Sequence, residues 1–576
     1  MIKLNLPTRL APPAIENCNP SQLAQMPASV IPAFKLPSAI ATIAQAPQNE
    51  AIITVYDSHG RAKDITLNEQ QLAFKNLVLQ GKSCILIGAA GTGKTTCTQA
   101  ALQAIINAGL VPVITGSHKH IKPGLPGILP CAYTRRATNN IKRAMPSDLA
   151  INTMTIHKAV EYGPQYYAVT DESTGKIRNT MRFEPARHIM HQLDRTISVV
   201  VIDESSMVSV DLFHELESAT SKQTIFIFIG DIQQLPPTFG HAILGYKLTE
   251  LPVIELTEVY RQALDSPIIK LAHRILSGKI LGHAEIATDW QYPGQLQINC
   301  WPHKISAENA LMSTAKSICN AYDAGKYDPA EDVILCPYVK GMNNRHGINL
   351  STTGLNAYIA NHIARKNNRL TFEIIAGFLK YYYSIGDSVL YEKEDCVIVD
   401  ILENPQYVGK SYQAASYTLD YWGHDNVALG QAMTNTDIDI DKLIEMTTDN
   451  TNSERAIQAS HRIIVEYTDS GEKRTISSLS EMMLLDHSYA MSVHKSQGSE
   501  WRKVYLMLHH SHNNMIKREL LYTAVTRARE QLVIICEKDT FIGGIMKQSI
   551  KGETLAEKAE YFKGKIAITN SAIDSE

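Results

Sequence analysis

The feature that most constrains this chain is Gly88-Ala89-Ala90-Gly91-Thr92-Gly93-Lys94-Thr95, a complete G-x-x-x-x-G-K-[ST] loop set directly after the apolar run Cys84–Ile87. Glycines at these positions let backbone N–H groups converge on phosphate oxygens. Lys94 then reaches the β and γ oxygens, and the Thr95 hydroxyl ligates Mg²⁺. A loop of this kind requires a buried strand before it and a helix after it. That unit in turn needs a parallel sheet around it. The pattern implies a nucleoside triphosphate site.

At 576 residues the chain is too long for one core. Its composition, 44% hydrophobic and 20% charged, is that of an ordinary globular protein. No apolar stretch approaches the ~20 residues of a membrane span, and the N-terminus lacks a signal-peptide pattern. The nine cysteines include no C-x-x-C pair, which argues against zinc and for a reducing, cytoplasmic setting. A net charge of −3 does not announce a nucleic-acid binder, yet a motor on a single strand needs only a local basic groove. Between Val111 and Met145, Lys119, Lys122, Arg135, Arg136, Lys142 and Arg143 occur with no acidic residue. Alone, that run reads equally well as a solvated basic face.

Residues 1 to about 50 are proline-rich and nearly uncharged, which predicts an extended arm. From Leu67 onward, Ile85–Gly88, Ile197–Ile202, Thr224–Ile229, Val333–Cys336, Val504–Leu508 and Leu532–Cys536 read as strands buried on both faces of parallel sheets. Two insertions are expected. One is a β-hairpin through Tyr166–Val169 and Arg178–Phe183 with a polar tip at 171–176. The other is a longer mixed stretch over 386–485. Asp437, Asp439 and Asp441 alternate there as in a calcium loop. Lys442 and Thr448 occupy the Gly and Glu positions such a loop requires, so no calcium site is expected.

Val199–Ile202 leads into Asp203-Glu204. At a sheet edge beside a phosphate loop, Asp203 suits the Mg²⁺ shell and Glu204 the activation of water. The pair alone also suits a helix N-cap. The strand ending at Gly230 continues Asp231-Ile232-Gln233-Gln234-Leu235-Pro236-Pro237, where Gln234 can sense a γ-phosphate or simply make a polar turn. Tyr260 offers a face for adenine, and Arg261 and Arg527 offer guanidinium groups for the γ-phosphate. Arg529 reads as a surface ion-pair residue.

The ordered series Leu67–Gln71 (LNEQQ), GAAGTGKTT, Cys131–Ala137 (CAYTRRA), Thr155–His157 (TIH), VIDESS, GDIQQLPP, LTEVYRQ, SVHKSQGSE and YTAVTRARE resembles the motif set of superfamily 1 helicases. It is most similar to the RecD-like and Dda-like branch, superfamily 1B. The resemblance implies an α/β fold with two RecA-like P-loop domains, a small β-hairpin insertion and an SH3-like β insertion. It implies these boundaries: an N-terminal extension over 1–66, domain 1A over 67–265 with insertion 1B at 158–196, domain 2A over 266–385 and 486–545, insertion 2B over 386–485, and a tail over 546–576. It implies ATP and Mg²⁺ as cofactors, single-stranded DNA and its junctions with duplex as partners, 5′ to 3′ movement, and a bacterial or phage-infected host cytoplasm. Residue by residue, it implies Gln71 at the adenine edge and Gly88, Gly91, Gly93, Lys94, Thr95 and Thr96 around the phosphates. Gly498 and Glu500 would lie by the nucleotide, and Thr134, Arg135, Thr155, His157, Ser492 and His494 along the DNA path. Met181 or Phe183 would be the strand-splitting wedge. Tyr133 stands where the family usually has proline. Two alternatives stay open: an RNA motor of the same superfamily, and an ATP-switched loading subunit that meets a replication or recombination protein through the N-terminal arm.

Overall fold

The computed structural model describes residues 52–56, 62–116, 118–170, 177–237, 240–258, 265–279, 282, 285–286, 290–339, 350–376, 379–391, 394–407, 458–468, 471–552 and 554–573. The proline-rich arm, the hairpin tip, the calcium-like aspartates, and Tyr260 with Arg261 lie outside them. So do the side chains of Met181 and Phe183.

Two all-parallel sheets form the body. The first has six strands in the order Val253–Leu256, Cys84–Gly88, Ile225–Gly230, Val199–Asp203, Ile128–Ala132 and Met154–Thr155. The second has five, ordered Leu296–Cys300, Ala528–Cys536, Trp501–Leu508, Asp332–Cys336 and Ala490–Ser492. Alternate side chains explain why these strands read as continuous apolar runs. Ile85, Ile87, Val200 and Ile202 enter the core on one face of the first sheet, and Cys84, Leu86, Val199 and Val201 the core on the other. Val333 and Leu335 likewise oppose Ile334 and Cys336 in the second. Burial on both faces demands helices on both sides, and these follow: Glu69–Leu79, Lys94–Asn107 and Val210–Ala219 in the first domain, Ala307–Asp323, Thr352–Lys366 and Arg518–Val525 in the second.

Because every strand in a sheet runs the same way, all their carboxyl ends open on one edge. That is where ligands of open α/β sheets bind. In the first sheet this edge carries the phosphate loop, Asp203, Asp231, Thr134 and Thr155.

The hairpin insertion is longer than the sequence suggested, with Tyr162–Thr170 pairing antiparallel to Ile177–Pro185. The second insertion is a seven-stranded antiparallel sheet. It takes in Thr371–Ala376 and Leu379–Ser384 as well, ahead of the expected boundary at 386, because these strands pair with each other and the first bridges to Ala459. Ile52–Tyr56 and Ala62–Thr66 pair as a hairpin inside the expected N-terminal extension. The expected tail holds a 19-residue helix, Leu555–Ile573.

Phe213, Phe226 and Phe228 pack ring on ring at 5.2–6.3 Å under the first sheet. Phe228→Ala should destabilise this domain by about 3–5 kcal/mol, the cost of a large core cavity. A urea titration followed by a first-domain probe measures it.

Candidate nucleotide site and interdomain seam

The phosphate loop has the geometry its glycines permit. Gly91 and Gly93 sit at φ 81° and 82°, in the left-handed region, and Gly93 caps the helix Lys94–Asn107. The helix N-terminus therefore points its free N–H groups at the loop, a favourable place for an anion. At Gly88, a Cβ would come within 2.4 Å of Thr92 Oγ1 and 3.1 Å of Leu256 Cβ. Lys94 Nζ donates to the carbonyls of Gly88 at 2.7 Å and Ala89 at 3.2 Å, folded back over the loop. Thr95 is exposed at the helix start and Thr96 half-buried.

Asp203 ends its strand, and Glu204 follows in a left-handed conformation, φ 49°. A non-glycine residue held there costs about 1–3 kcal/mol, a strain that clusters at functional sites. Ser205 Oγ donates to Ile229 O at 2.8 Å and pins this turn to the neighbouring strand. Glu204 Oε2 is buried without a hydrogen-bond partner among the described residues. Burial first, and the Glu204 charge second, push the Asp203 carboxyl up to about 7, while Lys94 opposes the rise. The Lys94 charge does not offset this rise, and an acidic pair with an oxygen that has no partner among the described residues fits a divalent cation.

Gln71 is fully buried, and its side-chain oxygen accepts the Asn68 N–H at 3.1 Å in a capping box. Its neighbour Gln70 holds Thr257 through two hydrogen bonds of 2.8 and 2.9 Å, and Asn68 reaches Glu258. The LNEQQ and LTE segments thus meet, although Tyr260 and Arg261 themselves lie outside the described residues.

The residues after Gly230 form a seam between the domains. Tyr522 donates its hydroxyl to Asp231 Oδ2 at 2.5 Å and accepts the Ala90 N–H of the phosphate loop at 2.9 Å. Burial, then the Asp231 charge, drive the phenol's pKa well above its ordinary value, so it stays protonated and can donate. Leu235 N–H donates to Thr523 Oγ1 at 3.0 Å, Leu235 O accepts from Gln497 at 2.8 Å, and the Leu235 side chain packs in the second domain's core. Gln234 is buried, its Oε1 without a partner among the described residues.

Arg527 is buried and donates to Thr523 O, Ser499 O and Thr526 Oγ1, all in its own domain. In this conformation those three acceptors hold the guanidinium. Arg529 makes an exposed ion pair with Glu331. Gly498, φ 71°, abuts the first domain: a Cβ there would lie 2.8 Å from Ala137 Cβ, and its carbonyl accepts from Asn140 at 2.9 Å. Glu500 is exposed.

Along the same edges, Thr134 and Thr155 cap short helices by accepting from Ala137 N and Lys158 N. His157 stands between the rings of Tyr133 and Tyr162, 5.6 Å from each. Ser492 ends its strand, and burial lowers the pKa of His494, favouring a neutral imidazole. Arg135 and Arg136 pair with Glu394 and Asp395 of the antiparallel sheet, and Arg136 also lies over Trp501 at 5.0 Å.

Comparison with known proteins gives this arrangement relatives. Residues 70–240 match an AAA domain, and residues 487–535 match the UvrD-like helicase C-terminal domain. The ATP-dependent RecD2 DNA helicase of Deinococcus radiodurans is 24% identical over 81% of this chain. The two matched segments and the RecD2 relative support a RecD-like helicase of superfamily 1B. The chain spans about half the length of that relative, 48%. The RecBCD subunit RecD of Buchnera aphidicola is 22% identical, aligned over 82% of this chain and 73% of its own length. Among solved structures, Bacteroides Pif1 bound to single-stranded DNA is 14% identical, covering 87% of this chain and 98% of its own, with a TM-score of 0.41. The two matched family segments bracket the seam, one carrying Ala90 and Asp231, the other Tyr522 and Thr523.

Sequence reasoning passed over Tyr522, Thr523 and Gln497. All three lie inside motifs it had quoted, but a tyrosine or glutamine in an apolar helix or turn carries no spacing signal of its own.

The Asp203 shift has a measurable consequence. The folded state binds its proton more tightly than the unfolded chain, so stability is lost as pH rises from the ordinary carboxylate range through about 7. Without divalent cations, Asp203→Asn should gain stability relative to wild type across that window and level off above it. Urea midpoints at pH 4.5, 6 and 8 give the comparison. Adding Mg²⁺ at pH 8 should raise the melting temperature of wild type and leave that of the variant unmoved.

Proposed function

We propose that this chain is an ATP-driven, Mg²⁺-dependent DNA helicase or translocase that moves 5′ to 3′ on single-stranded DNA. The observation that carries this reading is the seam itself: one buried tyrosine of the second domain bonds both the phosphate loop and the strand-end carboxylate of the first. Any change in that loop on nucleotide binding is therefore felt by the second domain.

In this reading the N–H groups of Gly91 to Thr95 and the Lys94 ammonium cradle the phosphates. Thr95 and Asp203 hold Mg²⁺, which supplies charge neutralisation to the phosphates. Glu204, with a carboxylate oxygen that has no partner among the described residues, orients the attacking water and takes its proton. Gln234 reports the γ-phosphate to the seam, while Tyr260 and Arg261 serve the adenine and γ-phosphate. Arg527 joins them only after leaving its own-domain carbonyls. Single-stranded DNA runs over the carboxyl edges past Thr134, Arg135, Thr155, His157, Ser492 and His494. Alternating grip by the two domains turns closure and opening into movement. No helix among the described residues is long and apolar enough to cross a membrane. Eight free cysteines among those residues suit a reducing cytoplasm.

The deciding measurement is ATP-dependent strand displacement on duplexes with a 5′ or a 3′ single-stranded tail. Unwinding from the 5′ tail alone is expected, and Lys94→Ala should lower DNA-stimulated turnover at least about 100-fold. Stimulation by RNA but not DNA would replace the substrate assignment.

The carboxylates of Glu394 and Asp395 compete with phosphate for Arg135 and Arg136. Glu394→Gln with Asp395→Asn should therefore tighten single-stranded DNA binding severalfold. The dependence of log K on log salt should steepen by about 0.7 for each arginine freed. Fluorescence anisotropy between 50 and 200 mM salt reads both.

A further inference from the structure

We propose that the C-terminal helix Leu555–Ile573 is a positioning strap on the loop after Gly230, and that Lys558 is the positioning residue that sets this loop for turnover. The role in turnover rests on the motor reading above; the strap itself does not. The helix lies beyond both segments that match known domains.

Lys558 is 2% exposed, and its ammonium donates to the side-chain oxygen of Gln233. A buried ammonium is costly unless polar groups hold it, so this one keeps a defined place. Gln233 N–H in turn donates to Asp231 Oδ1 at 2.9 Å, and the other oxygen of that carboxylate takes the Tyr522 hydroxyl. The lysine and the tyrosine thus grip the same short turn from opposite neighbours, with Gln234 directly beside it.

The first two turns of the helix and the segment ahead of it are anchored in both domains. Ahead of it, the N–H groups of Ser549 and Ile550 donate to Glu519 Oε1 at 2.8 and 3.0 Å, on the same helix as Tyr522. Tyr561 returns to Ser549 O at 3.2 Å. Further along, Leu555 and Phe562 join the core of the first domain. Phe562 fills the space over Gly245, where a Cβ would come within 2.5 Å of its ring. The chain therefore leaves the second domain beside Tyr522, crosses to the first and closes on the turn that Tyr522 also holds.

The test uses the full chain with Lys558→Met, Gln233→Leu and the double variant. Each single variant should lower DNA-stimulated kcat about tenfold while the KM for ATP changes less than twofold. The double variant should be no worse than the poorer single one, since both remove one link. Without nucleotide or DNA, hydrogen exchange at 232–235 should speed up about tenfold in Lys558→Met, with 199–203 unchanged. Wild-type exchange at 232–235, or additive losses in kcat, would overturn the strap. If Lys558→Met fails to fold, Gln233→Leu carries the same two readouts. A wild-type protein whose turnover ignores DNA would overturn the motor reading, and the exchange measurement would still decide the strap.

Discussion

The Tyr522 hydroxyl, shared between the Ala90 N–H and the Asp231 carboxylate, is the contact on which the nucleotide edge depends. It is short, fully buried and made across two domains, so its geometry is paid for by packing rather than by solvent. Burial keeps the phenol protonated, and a protonated phenol can serve acceptor and donor partners at once. Around it, Leu235 crosses into the second domain's core while its backbone is held at both N–H and carbonyl. The turn after Gly230 belongs structurally to both domains.

Parallel topology explains why so much chemistry meets there. Each strand of the first sheet delivers its loop to the same edge, so residues from Ala90, Asp203 and Asp231 need no special folding device to become neighbours. The special devices are local: left-handed glycines in the phosphate loop, a strained Glu204 and a serine that ties its turn to the next strand. The antiparallel sheet adds a different element. Its acidic hairpin lies against Arg135 and Arg136, and so links the accessory sheet to the basic start of a first-domain helix.

Strands with alternating burial on two faces were legible because continuous apolar runs have few other uses. Cys84–Gly88, Val199–Asp203, Ile225–Gly230, Asp332–Cys336, Trp501–Leu508 and Ala528–Cys536 all appear within a few residues of expectation. Ile128–Ala132 was hidden by Pro130, which sequence patterns place outside central strands. The structure tolerates it because the outer neighbour is only two residues long and pairs with Cys131 and Ala132 alone. Thr371–Ser384 was hidden because its exposed and buried residues alternate on a sheet that has a solvated face, a weaker signal than a buried run. Nothing in the spacing of Arg527 tells that carbonyls of its own domain hold it.

The sequence by itself determined the phosphate loop and the carboxylate pair, because each is written in residues close together along the chain. Backbone N–H groups, a lysine and a following helix form a phosphate cradle wherever that order occurs. Only the tertiary structure decided which groups hold that cradle in place. Tyr522 meets Ala90 across 432 residues, and Lys558 meets Gln233 across 325. Contacts of that separation arise from how two sheets pack, and a single chain read in order carries no periodicity that records them.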